Sequence, residues 1–235
     1  MKTDFLTIQK LFVENGLNLT EKQFKALEIY SEFLLEYNEK VNLTAIVEPD
    51  EIWKKHFLDS IYPIRLADIS ESSSIIDVGT GAGFPSVPMA IYRDDLNITM
   101  LDSLQKRIVF LEQLAIKTGI KSWQCVHGRA EDIGKNPEYR EKYDVAVARA
   151  VAALPVLCEY CLPFVKVGGC FIALKGPNEC ANDAVNAIAE LGGKVEKEIA
   201  YNLCGDDRKI VIISKVSQTP TKYPRRSKRI QQMPL

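Results

Sequence analysis

A short β-branched run, Ser74-Ile75-Ile76-Asp77-Val78, leads directly into Gly79-Thr80-Gly81-Ala82-Gly83-Phe84-Pro85. Three glycines at alternate positions between a strand and a helix constrain the chain more than any other feature. Glycine turns tightly, lets a ligand come against the backbone, and leaves N–H groups exposed where a helix begins. This is the opening of a nucleotide-type site in a parallel sheet. Alone it is weak evidence, because dinucleotide enzymes use a similar device.

The flanking pattern agrees with that opening. Strand-like runs at 98–101, 123–126, 143–148 and 170–174 alternate with helical patterns at 84–92, 105–118, 154–162 and 178–191. A Gly168-Gly169 turn precedes the run at 170, and 194–201 with 209–214 reads as a closing antiparallel pair. Strands alternating with helices predict βαβ units and a largely parallel sheet, with the ligand at the carboxyl ends of its strands. Residues 1–70 read differently. Phe5, Ile8, Leu11 and Phe12 recur at helical spacing. Thr20, with Gln23 three residues on, caps an amphipathic run through Phe24, Leu27, Tyr30, Phe33, Leu34 and Tyr37. Asn42-Leu43-Thr44 breaks it, and helices are expected at 49–57 and 59–66. The expected organisation is a helical extension over 1–70, a core over 71–216 and a basic tail over 217–235.

Three details favour S-adenosylmethionine over a dinucleotide. Asp77 lies at the strand end just before the glycines. The bulky Phe84-Pro85 stands where a dinucleotide fingerprint places its last glycine. A single such half is followed by strands that suit one adenosine. Asp102 is placed to accept from ribose hydroxyls, although an NAD site would use the same acid. For Asp77 and Asp102 ordinary strand-end capping stays open. The fold expected is α/β, a Rossmann-like class I methyltransferase: a seven-stranded, mostly parallel sheet with helices on both faces and an N-terminal helical extension.

Composition narrows the class. With 46% hydrophobic and 26% charged residues among 235, the chain is an ordinary globular one, long enough for one α/β core and an added element. No apolar run reaches the roughly 20 residues that cross a bilayer. Met1-Lys2-Thr3-Asp4-Phe5 lacks a signal-peptide apolar region. A cytoplasmic monomer with no membrane partner is expected. The net charge of −1 points to no partner. From Lys215 to Leu235, however, there is no acid, and Lys215, Lys222, Arg225, Arg226, Lys228 and Arg229 are basic. An arm for polyanions and a solvated terminus both fit that tail. Of the six cysteines only Cys158 and Cys161 form a C-x-x-C, without the second pair that zinc needs. They read as reduced, buried thiols, and no metal is expected.

Several segments together resemble the bacterial glucose-inhibited division protein B family, the guanine-N7 methyltransferases of small-subunit (16S) ribosomal RNA. They are Val41-Asn42-Leu43-Thr44, His56-Phe57-Leu58-Asp59-Ser60, the glycine loop, Gly128-Arg129-Ala130-Glu131, Ala148-Arg149-Ala150-Val151-Ala152 and Leu174-Lys175-Gly176. They stand in family order across roughly residues 20–215. The resemblance implies S-adenosyl-L-methionine as cofactor and 16S rRNA or the small subunit as partner. It also implies cofactor contacts at Gly79, Phe84, Asp102, Ser103, Leu104, Ala130, Glu131 and Arg149; the loop reading adds Asp77, Gly81 and Gly83. All lie before Ala150, so the tail is expected to leave cofactor binding alone. Lys222-Tyr223-Pro224-Arg225-Arg226 is similar to the family's ending, and Ser227-Lys228-Arg229-Ile230 departs from it.

Absences bear on the acceptor. A cytosine-C5 methyltransferase needs a cysteine nucleophile, and the Arg149–Ala152 loop has none. The Asn/Asp-Pro-Pro-aromatic element common in exocyclic-amine enzymes is missing as well. Guanine N7 has an in-plane lone pair and loses no proton on methylation, so it needs no base; many other acceptors also need little help. Arg149 and Lys175 end successive strands and are the candidate catalytic pair, with Lys175 able to hold a phosphate or the guanine O6. Structural ion pairing remains open for both. His56, Lys175, Lys222, Arg225 and Arg226 are the candidate RNA contacts. Beside apolar Phe57 and Leu58, His56 reads more readily as a packing residue, and the resemblance is what favours a role for it in the substrate cleft. A methyltransferase for protein or small molecules, an NAD-linked oxidoreductase and a silent RNA-binding module are the competing readings.

Overall fold

The computed structural model describes residues 4–235. Met1, Lys2 and Thr3, on which the reading of the N-terminus drew, lie outside the described residues. The chain enters through two amphipathic helices, α1 (Phe5–Glu14) and α2 (Glu21–Asn38). Thr20 and Gln23 close the reciprocal capping box at the start of α2. Asn38 ends it by accepting from Leu43 N and Thr44 N and donating to Thr44 O.

The two helices expected at 49–57 and 59–66 are one continuous coil that changes pitch: α3 (Pro49–Glu51), a π-helical turn (Ile52–Leu58), α4 (Asp59–Ile61) and a 3-10 turn (Tyr62–Arg65). The apolar spacing explains the wide turn. Ile52 with Phe57, and Trp53 with Leu58, are pairs five residues apart, and all four side chains are buried. An i→i+5 helix brings such pairs onto one face.

The core then alternates β1 (Ser74–Val78), α5 (Ser86–Tyr92), β2 (Asn97–Asp102), α6 (Gln105–Thr118), β3 (Trp123–His127), α7 (Ala130–Ile133), β4 (Tyr143–Arg149), α8 (Leu154–Cys161), β5 (Val165–Lys175), α9 (Val185–Glu190), β6 (Gly193–Leu203) and β7 (Asp206–Lys215). The seven strands form one sheet in the order β3-β2-β1-β4-β5-β7-β6. Only β7 runs antiparallel to its neighbours β5 and β6. The order reverses between β1 and β4, which opens a crevice at the carboxyl ends of those strands. One buried cluster unites α1, α2, α5 and α6 with one face of the sheet. A second unites α8, α9 and Ile230 of a last helix, α10 (Ser227–Gln232), with the other.

Three local expectations change. Helix at 178–191 begins only after Cys180, because Asp183 accepts from Cys180 N at 3.2 Å and starts a 3-10 turn at Ala181. The Gly168-Gly169 turn lies inside β5, where a bulge between the Tyr143↔Val165 and Val145↔Cys170 pairs absorbs it. The tail is not simply a solvated terminus, since Tyr223 and Ile230 are buried, while Arg226, Lys228 and Arg229 stay exposed. Cys158 and Cys161 are fully buried in α8, and burial pushes both thiols well above their ordinary range.

Candidate functional site

The glycine loop is held open from below. Gly79, Gly81 and Gly83 have φ of +73°, +62° and +98°, the left-handed region. A Cβ on Gly79 would stand 2.9 Å from a Val151 methyl, and one on Gly83 2.9 Å from Tyr30 Oη. One on Gly81 would meet nothing nearer than 3.9 Å, because that Cα faces the crevice. Asp77, fully buried, ties the loop to the next helix: its Oδ2 accepts from Thr80 Oγ1 (2.8 Å), Ser86 Oγ (2.6 Å) and Ser86 N (3.2 Å). Burial pushes its carboxyl up to about 6, against the pull of those donors. From α2, Tyr30 donates to Ala82 O and stacks on Phe84.

Two lobes meet at the loop, both bordered by Gly79, Arg107 and Ala150. The first, about 570 Å³, lies between the sheet edge and the N-terminal helices. Phe84 is its centre. His56 stacks on that ring at 4.3 Å and the Arg149 guanidinium lies 4.9 Å from its centroid. Arg149 Nη1 donates to Asp59 Oδ2 at 2.8 Å, and Asp59 Oδ1 accepts from Arg208 Nε at 3.1 Å. Burial, then the Arg149 cation, lowers His56 to about 4, so its imidazole is neutral. Thr44 Oγ1 lies 2.8 Å from His56 Nε2. Lys175 Nζ donates to Ala152 O at 2.6 Å and pairs with Glu179 at 2.7 Å. Each of the five cations lining this lobe, Lys55, Arg107, Arg149, Lys175 and Arg208, is paired with a carboxylate.

The second lobe, about 290 Å³, is bordered by Asp102, Ser103, the Gly128–Glu131 turn, Val151, Tyr160, and also Ser227 and Gln231. Asp102 ends β2 almost fully buried; its Oδ2 accepts from Gly81 N at 3.0 Å and Arg107 Nη1 at 3.2 Å, its Oδ1 from Leu104 N. This donor-and-acceptor set fits S-adenosylmethionine. An open glycine face at Gly81 suits the amino-acid part, and a carboxylate at the end of β2 suits the ribose.

Of the residues singled out in the sequence, Gly79, Gly81, Phe84, Arg149, Lys175 and His56 line the first lobe, and Asp102, Ser103, Ala130 and Glu131 the second. Asp77, Gly83 and Leu104 support the walls without lining either, and Lys222, Arg225 and Arg226 line neither. Arg225 is engaged elsewhere, in a two-pronged pair with buried Glu159. The sequence reading missed Asp59, Arg107, Glu179, Tyr201, Arg208, Ser227 and Gln231. Asp59 had a signal, standing three residues after His56 on one helical coil. Tyr201 and Arg208 reach the lobe only through the β6–β7 pairing, which no local spacing reveals.

A family model described as rRNA small subunit methyltransferase G matches residues 23–211. A protein of Alkaliphilus metalliredigens named ribosomal RNA small subunit methyltransferase G is 50% identical, with 91% of each chain covered. One of the same name from Acetivibrio thermocellus is 47% identical over 98% of each chain. Among solved structures, an S-adenosylmethionine-dependent methyltransferase from Aquifex aeolicus superposes with a TM-score of 0.52 at 13% identity, covering 71% of this chain and 93% of that one. An O-methyltransferase of neocarzinostatin biosynthesis in complex with S-adenosylmethionine gives 0.52 at 18% identity, over 68% and 54%. At such identities these structures speak for the fold alone.

Proposed function

The chain belongs to the rRNA small subunit methyltransferase G family, and on that premise we propose that it methylates N7 of a guanine in 16S ribosomal RNA of the small subunit. S-Adenosylmethionine, when bound, supplies an electrophilic methyl on a sulfonium, and transfer is an in-line displacement that needs alignment above all. The observation that carries the reading is the pair of lobes joined at Gly79 and Ala150. The lobe beside Asp102 suits an adenosine. The larger lobe, walled by Phe84, His56 and Arg149, suits a base, so that donor and acceptor meet over the glycine loop.

The side chains of the larger lobe bind and orient; none is set to take a proton. His56 is neutral, stacked and held by Thr44, and guanine N7 releases no proton for it to accept. Arg149 is fixed by Asp59, and its planar cation closes one wall of the base site. Lys175, the candidate donor to O6, is held ready by Ala152 O and Glu179. Pairing every cation with a carboxylate leaves the lobe near neutral, which suits a reaction that begins with a positive sulfonium and ends with a positive base. Thiol attack is disfavoured: Cys158 and Cys161 border neither lobe and stay protonated.

The test is transfer from radiolabelled S-adenosylmethionine to small subunits isolated from cells lacking the modification, with the methyl mapped by reduction and chain scission at 7-methylguanine. Label at one guanine of the small-subunit RNA is expected. Label in protein, or at a nitrogen insensitive to that scission, would overturn the proposal.

A further inference from the structure

The second lobe has a wall that comes from the tail. Ser227 and Gln231 stand four residues apart on α10, hence on one face, and both border the lobe that Asp102 and Glu131 also line. The helix has only six residues and would not hold its shape alone. Its position is fixed by what surrounds it. Ile230, on another face, is fully buried in the second core. Ahead of the helix, Arg225 donates to Glu159 through Nε at 2.9 Å and Nη2 at 2.6 Å, and its backbone N adds a third bond at 2.7 Å. Arg140 donates to Tyr223 O at 2.9 Å and Thr219 O at 2.7 Å. Tyr223 Oη donates to Glu190 at 2.9 Å.

These latches hold the tail to the elements that build the lobe. Glu159 is the residue before Tyr160, which lines it. A Cβ on Gly134, just after α7, would stand 3.4 Å from Pro224 Cγ, so the tail runs over the end of the helix that begins with Ala130 and Glu131. A solvated terminus would need none of this. A side-chain carboxamide offers an acceptor and two donors, which match the amino group and ring nitrogen on one edge of adenine.

We propose that residues 219–235 form the outer wall of the adenosine half of the cofactor cleft, with Gln231 placed to hydrogen-bond the adenine edge. The inference rests on the reading of the cleft as an S-adenosylmethionine site. It makes the tail part of the cofactor site rather than an appendage for RNA alone, and it replaces the expectation that every cofactor contact precedes Ala150.

Calorimetry on the full chain tests it without any turnover. The ligands are S-adenosylhomocysteine and its hypoxanthine analogue, in which oxygen replaces the 6-amino group. Wild type is expected to bind the adenine compound more tightly than the analogue. Gln231→Ala should weaken adenine-ligand binding by about tenfold, the worth of one well-made hydrogen bond, and shrink the preference between the two ligands. Ile230→Ser, which undocks the helix, should weaken both ligands together. Gln231 is exposed, so its substitution leaves folding intact even if Ile230→Ser does not. Unchanged affinity and unchanged preference in Gln231→Ala would overturn the proposal. Failure of wild type to bind either ligand would overturn the cofactor reading itself, a separate and visible outcome.

Discussion

Asp77, buried beneath the glycine loop, and His56, half-buried in the larger lobe, oppose each other in their effect on stability. Asp77 is raised from 3.8 to about 6 in the folded chain, so the folded state holds its proton more tightly than the unfolded one. Its contribution is fully present below pH 3.8 and is lost as pH rises through about 6. His56 is lowered from 6.5 to about 4, so the unfolded state binds the extra proton. Its contribution is fully present above pH 6.5 and is lost as pH falls through about 4. Over pH 4–6 the two slopes, each about 1.4 kcal/mol per pH unit at most, offset each other. Urea unfolding of wild type is therefore expected to show a shallow pH dependence in that window. His56→Gln should expose the falling slope and Asp77→Asn the rising one. Parallel curves for the three proteins would refute the opposition. The glycines make a second prediction at this scale. Gly81→Asp faces open space and carries only the cost of a left-handed backbone, about 1 kcal/mol or a few degrees in Tm. It should lose S-adenosylmethionine affinity by tenfold or more, because a carboxylate then stands where the ligand's carboxylate would approach. Gly79→Asp also drives a side chain into Val151 and should melt distinctly lower. Equal melting temperatures would show that Val151 yields freely.

Which elements were legible depends on how far their causes reach along the chain. The strands β1, β2 and β4 are short, largely buried runs, and their alternation with helices and the glycine punctuation place them. The antiparallel β6–β7 pair was visible as well, although β6 is largely exposed. The capping box at Thr20 and Gln23 is likewise local, and it appeared as expected. The π-helical turn was missed because its five-residue apolar spacing was read through a helical template of three and four. Residues 178–180 were read as helix although Pro177 and the Asp183 cap delay it. The tail was misjudged because its burial depends on Glu159 and Arg140, far off in sequence. The candidate site divides the same way. The loop, Asp102, Arg149 and Lys175 end strands and could be named, while Arg208, Glu179 and Gln231 arrive by tertiary packing. The latch makes an element-scale prediction. Arg225→Ala strips the fully buried Glu159 carboxyl of its guanidinium partner, and should lower unfolding free energy by about 3–5 kcal/mol. Replacing both residues, Arg225→Met with Glu159→Leu, should recover much of that loss. Denaturant unfolding of the two variants measures the difference, and an Arg225→Ala chain as stable as wild type would show that the pair does not hold the tail.

At the scale of the molecule, a net charge of −1 provides no general attraction to RNA. Binding must come from a local patch, since counterion release scales with the number of phosphates neutralised. The cations that line the base lobe are already paired, and Arg225 is committed to Glu159. Arg226, Lys228 and Arg229 are exposed and make no ion pair among the described residues. Lys228 and Arg229 stand on the helix whose Ser227 and Gln231 border the adenosine lobe, the lobe that joins the base lobe at Gly79 and Ala150. Deleting the whole tail would remove cofactor wall and RNA-binding cations together and could not tell them apart. Charge reversal can. Lys228→Glu with Arg229→Glu alters neither Gln231 nor the Ile230 anchor, and S-adenosylhomocysteine affinity should stay at the wild-type value. Affinity for the small subunit should fall, and the slope of log K against log salt should become shallower by about 0.7 for each phosphate that is no longer neutralised. Subunit binding measured across a salt series by filter retention supplies both numbers. A wild-type slope in the double variant would move the RNA path off this helix and toward the opposite rim, where Lys54 and Lys55 border the β6–β7 turn.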